Sequence, residues 1–442
     1  MACTGASDSA SDDSPEAGAD DDDDAIDSDD AASAKASFRA LRSQRKRKRR
    51  QIQHKICNPG NKRGNRAGMW EHTRCDFSLR FDQWDPGLFQ RFYRLRKETF
   101  ARLVELLGPV IQRNELRAKC STAAGVISPE VHVAVTLRWL AGGSYLDIAN
   151  GHGVCIRAFW GALHRTLDAI DACPELEMRF PVSEEELAAA AKKFEAKSEQ
   201  QSFTDVVAAI DGILVGIVCP SSKEVPNPGR YWTRKNKYAL NVQAAAGADR
   251  VFSYVSIVSP GSVHDGIAWQ LSTLGAYLAD SKLPAPYFVV GDAAYSGSPS
   301  VLVPIAGSNL EAAPDSFNFH LSQLRINVEC AFGMLVQRWG IFWRPLRCKF
   351  DRLAVVVTCA MKLHNLCVCR ADDCEGLDED CEVGGQAAGR AAPERDENGG
   401  MPGLQRGDGP RAPIAANMER VRDELVQLMR DLRMPRPLVR RF

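Results

Sequence analysis

Three acidic residues of this 442-residue chain stand in surroundings that a solvated surface carboxylate rarely has. Asp211 ends the apolar run VVAAID, and Asp292 ends the run YFVVGD. Because β-branched residues favour strands, we expect both aspartates at or near the C-terminal ends of strands. Glu329 lies inside the helical pattern SQLRINVECAFGMLVQRWGIFW. Carboxylates on neighbouring strands and on a helix packed against them can converge on a small, hard cation.

The chemistry that such a cluster could perform is phosphodiester cleavage. Mg²⁺ takes oxygen ligands, and proteins usually hold it with one or two carboxylates together with phosphate oxygens of the substrate. Two such ions can stabilise both the attacking and the leaving oxygen of a phosphodiester. The three acids therefore predict an enzyme that acts on DNA with Mg²⁺ or Mn²⁺, with two ions expected.

Each acid also has a purely structural interpretation. Asp211 and Asp292 each stand beside a glycine, and this pairing favours turns that end strands. Glu329 could be an exposed helix residue that pairs with Arg325 four positions earlier. Only the occurrence of all three acids in one ordered set of motifs favours metal binding.

Two further segments carry candidate site residues. The segment YWTRKNKY places basic side chains between aromatic ones, which suits phosphate contact beside the acids or, alternatively, a solvated edge loop. The candidate DNA contacts are Arg234, Lys235, Lys237 and Arg325. His264 and Asp265 either begin a helix, where an acid favours the helix dipole, or bring an additional acid to the metal site.

Charge is strongly segregated, although the net charge of the chain is zero. Residues 1–34 contain twelve Asp or Glu and no Lys or Arg, whereas residues 35–66 contain thirteen Lys or Arg and no acid. These blocks predict a disordered tail over residues 1–66 that binds something of opposite charge. Its basic run is Arg45, Lys46, Arg47, Lys48, Arg49 and Arg50. This run predicts nuclear localisation, with a phosphate-binding arm or a solvated tail as alternatives.

Composition excludes several other classes of protein. The sequence has no run of 18 or more apolar residues, so no membrane span is predicted. The acidic N-terminus lacks the basic start and apolar core of a signal peptide. The 14 cysteines include no CxxC pair, which favours reduced thiols over disulfides or a zinc site.

Residues 81–180 have the periodicity of a small all-helical domain. Within it, SYLDIANGHGVCIRAFWGALHRTLDAI has the outline of a helix-turn-helix, whose second helix can enter a major groove. Arg157, His164 and Arg165 are its candidate contacts, and a structural helical hairpin is an equally supported interpretation. The Ala-rich, charged segment 183–202 predicts a linker helix.

Residues 203–370 alternate between strand and helix patterns. Strand-like runs DVVAAID, GILVGIV, YALNVQAAAG and VFSYVSIV precede a helix in HDGIAWQLSTLGAYLADS, the strand YFVVGD and the helix of Glu329. This order predicts an α/β domain with a mixed sheet covered by helices. Residues 371–416 predict a disordered linker. Residues 417–434 predict an amphipathic helix that docks on the body of the protein or on a partner.

Six short motifs then occur in an order that resembles one family. AIDG, YWTRKNKYALNVQA, SPGSVHDG, VVGDAAY, RINVECAFGMLVQRWGIF and KLHN resemble the PIF/Harbinger transposase superfamily and the nucleases that hosts have derived from it. The resemblance runs from about Phe92 to Cys369. It implies an RNase H-like (retroviral-integrase-like) domain with a D-D-E triad, preceded by a helix-turn-helix-like region. The matching triad positions are Asp211, Asp292 and Glu329.

The resemblance also implies what the protein does. It indicates a metal-dependent endonuclease or transposase that cleaves double-stranded DNA, with a Myb-like accessory protein as a partner and a homo-oligomer left open. Two departures concern Ile213-Leu214, where the family often has Thr-His, and GVCIRAFW, where Ser and Thr usually continue the turn. The alternative is a domesticated, catalytically silent DNA-binding or chromatin-associated protein.

Overall fold

The computed structural model describes residues 76–112, 126–372 and 415–436, apart from 282, 296, 299 and 308. The predicted tail over residues 1–66, with its basic run Arg45–Arg50, lies outside the described residues. So does most of the predicted 371–416 linker. All described residues belong to one compact unit.

Five strands form one mixed sheet. They are β1 (Val206–Gly216), β2 (Ala239–Ala246), β3 (Phe252–Pro260), β4 (Phe288–Val290) and β5 (Val301–Leu302). Their order across the sheet is β3-β2-β1-β4-β5. β2 pairs antiparallel with β1 and β3, whereas β4 pairs parallel with β1 and β5. With helices on both faces, this arrangement confirms the predicted α/β, RNase H-like fold.

The first strand is longer than the sequence predicts, and Asp211 lies in its middle. The runs DVVAAID and GILVGIV form one continuous strand because antiparallel pairing with β2 extends from Ala209 to Gly216. Gly212 therefore does not end the strand, which corrects the predicted position of Asp211. The parallel pairing with β4 stops at Ala209 and Val290, so Asp211 lies just beyond the end of β4.

A helical region precedes the sheet, as predicted for residues 81–180. Its helices are α1 (Phe77–Gln83), α2 (Pro86–Tyr93), α3 (Lys97–Ile111), α4 (Pro129–Leu140), α5 (Tyr145–Gly151) and α6 (Ile156–Ala172). The buried side chains of α6 include Phe159, Leu163 and Leu167, and the helix packs against α3, α4 and a core helix of the sheet domain.

The helix predicted over residues 183–202 is α7 (Glu184–Glu195), followed by a short 3-10 turn. Ser183 and Glu186 form a capping box, which satisfies backbone N–H groups at its start. Leu187, Ala191 and Phe194 are buried, and α7 packs against β1. It therefore covers one face of the sheet.

The remaining helices cover both faces. They are α8 (Asp265–Gln270), α9 (Thr273–Ser281), α10 (Ala312–Arg338), α11 (Leu353–Cys369) and α12 (Ala416–Asp431). Val207 and Ile210 share a core cluster with α7, α8 and α9. Ala209 and Val215 share the larger cluster with α10 and α11. The C-terminal helix α12 packs against α10 and β5, so it docks on the body of the protein.

Helix α11 is strongly apolar. Among the described residues, one helix, Phe350–Cys369, is long and apolar enough by length and composition to cross a membrane, and 56% of its most apolar window is buried within the fold. It packs against α6, α10 and β3, as a core helix does.

Candidate active site

Asp211 is a buried carboxylate with an unsatisfied oxygen. Only 6% of the residue is exposed. Its Oδ1 accepts a hydrogen bond from the backbone N–H of Gly212 at 2.8 Å, whereas Oδ2 is buried without a partner among the described residues. Burial raises the pKa of Asp211 to about 8; the charge of Arg325 opposes this shift, and those of Asp292 and Glu329 add to it. The carboxylate therefore lies among other acids in a place that favours a cation.

Asp292 is held by the turn that follows β4. Its Oδ1 accepts a hydrogen bond from the N–H of Ala294 at 2.7 Å, and its carbonyl accepts one from the N–H of Tyr295 at 3.1 Å. The short 3-10 turn Ala293–Tyr295 thus fixes the direction of this carboxylate. Because Asp211 lies just past the end of β4, the two acids come within electrostatic range.

Glu329 reaches the same place from α10. Side chains alternate along β1, so Asp211 lies on the same face as Ala209 and Val215, which is the face that α10 covers. Glu329 Oε1 accepts a hydrogen bond from Arg325 Nη2 at 3.1 Å. Arg325 is only 9% exposed, whereas 34% of the Glu329 side chain remains exposed, so the pair lies between the buried acids and the solvent. The structure thus shows the predicted ion pair between Glu329 and Arg325, and metal binding by Glu329 stays a prediction.

Two glycines allow the acidic segments to approach each other. A Cβ atom at Gly212 would lie 2.7 Å from Oδ1 of Asp265, and one at Gly266 would overlap the carbonyl oxygen of Ala294. Only a residue without a side chain permits such contacts. The glycines of the Asp-Gly pairs at 211–212 and 265–266 thus allow two segments of the chain to approach closely. The sequence did not predict this role, because a turn was the only structural role considered for the first pair.

The structure places Asp265 on the opposite face of β1 from Asp211. Its closeness to the Cβ position of Gly212 shows this, because adjacent residues of a strand face opposite sides. Asp265 is the first residue of α8, yet its carboxylate makes side-chain contacts: Oδ1 accepts hydrogen bonds from Asn241 Nδ2 at 2.8 Å and Gln243 Nε2 at 3.0 Å. Sequence analysis missed both amides, although two polar residues at alternate positions of YALNVQAAAG were a usable signal.

The acids fit a divalent cation without forming a complete cage for it. Among the described residues, no three His, Cys, Asp or Glu side chains lie close enough together to hold a metal ion. However, Mg²⁺ commonly takes only one or two protein carboxylates and fills its other positions with water and phosphate. The unpartnered Oδ2 of Asp211 is the kind of ligand such an ion needs.

The predicted basic segment is a tight hairpin that contacts the residue before α8. Thr233 and Lys237 close it through an N–H to carbonyl hydrogen bond of 2.9 Å. Arg234 is exposed, and its Nη2 lies 3.0 Å from Nε2 of His264, the residue before Asp265. The tip of the hairpin, which also carries Lys235, therefore lies next to the start of α8. Of the candidate DNA contacts, Arg325 differs because it is buried.

The helix-turn-helix outline is present as α5, a turn and α6, but α6 is largely occupied by packing. Arg157 is exposed near its start, whereas His164 and Arg165 are half-buried. Trp160 stacks on His164 with ring centroids 6.0 Å apart. Of the three candidate DNA contacts on α6, only Arg157 is exposed.

Comparison with known proteins identifies a nuclease family over most of the sheet domain. Residues 210–365 match the family described as DDE superfamily endonuclease, which covers about a third of the chain. The match supports a DDE transposase-like nuclease domain, and the matched segment includes Asp211, Asp265, Asp292 and Glu329. Neither the comparison with curated proteins nor that with solved structures found a match.

Proposed function

We propose that the protein is a metal-dependent DNA endonuclease of the DDE type, similar to PIF/Harbinger transposases. The observation that carries this proposal is the buried, unpartnered Oδ2 of Asp211 within electrostatic range of Asp292 and Glu329. A structural carboxylate in such a position would be costly, because a buried acid needs hydrogen bonds or a cation. The family match over the same residues supports the same conclusion.

In this proposal Asp211, Asp292 and Glu329 hold one or two Mg²⁺ or Mn²⁺ ions. When bound, such ions polarise the phosphodiester and make water a stronger nucleophile. Asp211 interacts electrostatically with both other acids, which suits a metal ligand, and the hydrogen bond from Ala294 fixes the carboxylate of Asp292. In the metal-free state, Arg325 neutralises Glu329.

The DNA substrate would approach along the basic hairpin. Arg234, Lys235 and Lys237 can contact phosphates, which position a duplex without reading its sequence. The 3.0 Å contact between Arg234 and His264, the residue before Asp265, supports this path. We propose double-stranded DNA as the substrate, with a Myb-like accessory protein and self-association as further features inferred from the family resemblance.

A nuclear location follows from the same proposal. The run Arg45–Arg50 lies outside the described residues and has the composition of a nuclear import signal. A fluorescent fusion that lacks these six residues should accumulate less in the nucleus than the intact fusion. Equal nuclear import of both fusions would contradict the assignment.

A silent DNA-binding protein is the second candidate function. The observation that favours it is the Arg325–Glu329 ion pair, at 3.1 Å, together with the lack of a three-ligand cluster among the described residues. An arginine that permanently satisfied Glu329 would remove one of the three proposed metal ligands. In that case the basic hairpin would still bind DNA.

Metal-dependent plasmid cleavage separates the two functions. The purified full-length protein should convert supercoiled plasmid to nicked or linear forms with Mg²⁺ or Mn²⁺, and EDTA should abolish the conversion because water alone does not activate the phosphodiester. A parallel gel-shift measurement reports DNA binding under the same conditions. Binding without cleavage in either metal would favour the silent DNA-binding protein.

A further inference from the structure

A buried polar network lies behind the site, on the α8 face of the sheet. Tyr295 donates its hydroxyl to Oε1 of Gln243 at 2.8 Å. Gln243 Nε2 donates to Asn241 Oδ1 at 2.7 Å and to Asp265 Oδ1 at 3.0 Å. Asn241 Nδ2 also donates to Asp265 Oδ1 and to the carbonyl of Val263. Asn241, Gln243 and Tyr295 are each only 1% exposed.

The hydrogen bonds that link Tyr295 to Asp265 are all donated in one direction, from the hydroxyl of Tyr295 through Gln243 to the carboxylate. A tyrosine hydroxyl has one proton to donate, and the amide of Gln243 has an oxygen at one end and a donor nitrogen at the other. Because Tyr295 supplies the donor to the oxygen of Gln243, the nitrogen must face Asp265. The chain of hydrogen bonds therefore ends on one carboxylate oxygen that accepts from two amides. A reversed amide would set the oxygen of Gln243 against the acceptor oxygens of Asp265 and Asn241.

Both ends of this network touch the segment that carries Asp292. Tyr295 is the last residue of the 3-10 turn Ala293–Tyr295, whose N–H groups hold the carboxylate and carbonyl of Asp292. The start of α8, where Asp265 lies, packs on the same turn, and Gly266 permits the contact with Ala294. A shift of Asp265 would thus move the turn directly through α8 and indirectly through Gln243 and Tyr295.

We propose that Asp265 is a positioning residue, which acts through Gln243 and Tyr295 to fix the turn that holds Asp292 for the cation. This inference rests on the proposed function of the site. Asp265 is not placed as a ligand, because it lies on the opposite face of β1 from Asp211 and its Oδ1 is committed to two amides. Asp265 is not the helix cap either, because the N-cap of α8 is His264, whose side chain makes no capping hydrogen bond.

The proposal makes the hydrogen-bond acceptor, and not the charge, the essential property of Asp265. Asp265→Asn keeps an acceptor oxygen for the two amides, whereas Asp265→Ala removes it. A direct metal ligand would lose its function in both variants, since both lack the negative charge. Tyr295→Phe removes the donor at the other end of the network and leaves the carboxylate in place.

Binding of Mn²⁺ to the full-length protein without DNA tests the proposal, with free Mn²⁺ quantified by its electron paramagnetic resonance signal. Loss of an outer-sphere group typically weakens metal binding about 10- to 100-fold, so we expect that loss for Asp265→Ala and for Tyr295→Phe. Asp265→Asn should bind close to wild type. The double variant of Asp265→Ala and Tyr295→Phe should be no weaker than the weaker single variant, since both changes break the same chain.

The control is Asp249→Ala, which removes an exposed acid in the turn between β2 and β3 and should leave Mn²⁺ binding unchanged. Thermal unfolding of each variant establishes that it folds; if Asp265→Ala does not fold, Tyr295→Phe alone must show the loss.

Equal weakening by Asp265→Asn and Asp265→Ala would make Asp265 a ligand and overturn the proposal. Wild-type binding by Asp265→Ala and Tyr295→Phe would also overturn it. If the wild-type protein bound no Mn²⁺, the proposed metal site itself would fail.

Discussion

Asp292→Asn should abolish cleavage of supercoiled plasmid while leaving DNA affinity nearly unchanged. The amide keeps the size of the carboxylate and can still accept the hydrogen bond from Ala294, so the turn should persist. The negative charge that would hold a divalent ion is lost. Because outer-sphere changes alone weaken metal binding by up to about 100-fold, loss of a direct ligand should reduce the cleavage rate by at least that factor. DNA binding depends on basic residues, so the DNA affinity of this variant should not fall with the cleavage rate.

Asp249→Asn is the matched control for this variant. Asp249 is an exposed acid in the turn between β2 and β3, paired with Lys193 at 2.7 Å, and its charge lies outside the site. Both variants would be assayed with Mg²⁺, Mn²⁺ or EDTA, alongside a gel shift at fixed salt. Cleavage by Asp292→Asn at the wild-type rate would show that this residue does not hold a catalytic ion.

Gly266→Ala should both destabilise the protein and impair the site. A Cβ atom at this position would overlap the carbonyl oxygen of Ala294, a backbone atom that cannot move aside without displacing the turn beside Asp292. Overpacking of this kind typically costs about 1–3 kcal/mol. We therefore expect a lower free energy of unfolding in urea, together with weaker Mn²⁺ binding, because the displaced turn carries a proposed ligand.

Gly161→Ala provides the opposite control within the same chain. Gly161 is exposed on α6, and no atom lies within 4 Å of the Cβ position. In a helix, alanine is favoured over glycine by roughly 0.5–1 kcal/mol, so this variant should be slightly more stable than wild type. If the Gly266→Ala protein had the wild-type free energy of unfolding and the wild-type affinity for Mn²⁺, the close approach of α8 to the turn would not be needed.

Local sequence patterns were sufficient for most elements of the fold, but they missed β5, joined α8 to α9 and divided β1 in two. Apolar runs rich in β-branched residues marked the strands, and helical periodicity marked α10. Gly212 then suggested a turn, because glycine after aspartate favours one when only the neighbouring residues are considered. In the structure, pairing with β2 continues past Gly212 and overrides that local preference.

The site was predictable only to the extent that it depends on residue type. The three acids could be chosen from their apolar surroundings and the order of the motifs. Which face of the sheet Asp265 occupies depends on the register of β1 against β2, which pairs Gly212 with Gln243. The partners Asn241, Gln243 and Tyr295 come from two segments that are distant in sequence, so no local pattern could assign their hydrogen bonds.

The length of α10 has a consequence for where a bound duplex would be cut. The helix carries Glu329 in the site and ends at Arg338, whose buried guanidinium donates to the carbonyl oxygens of Arg94 and Asp372, each at 2.6 Å. Nine residues separate the two side chains, or about 14 Å along the helix axis. One continuous helix therefore connects the helical region to the acids. In the proposed nuclease, a DNA contact made by the helical region would therefore lie at a constant distance from the phosphate that is cut.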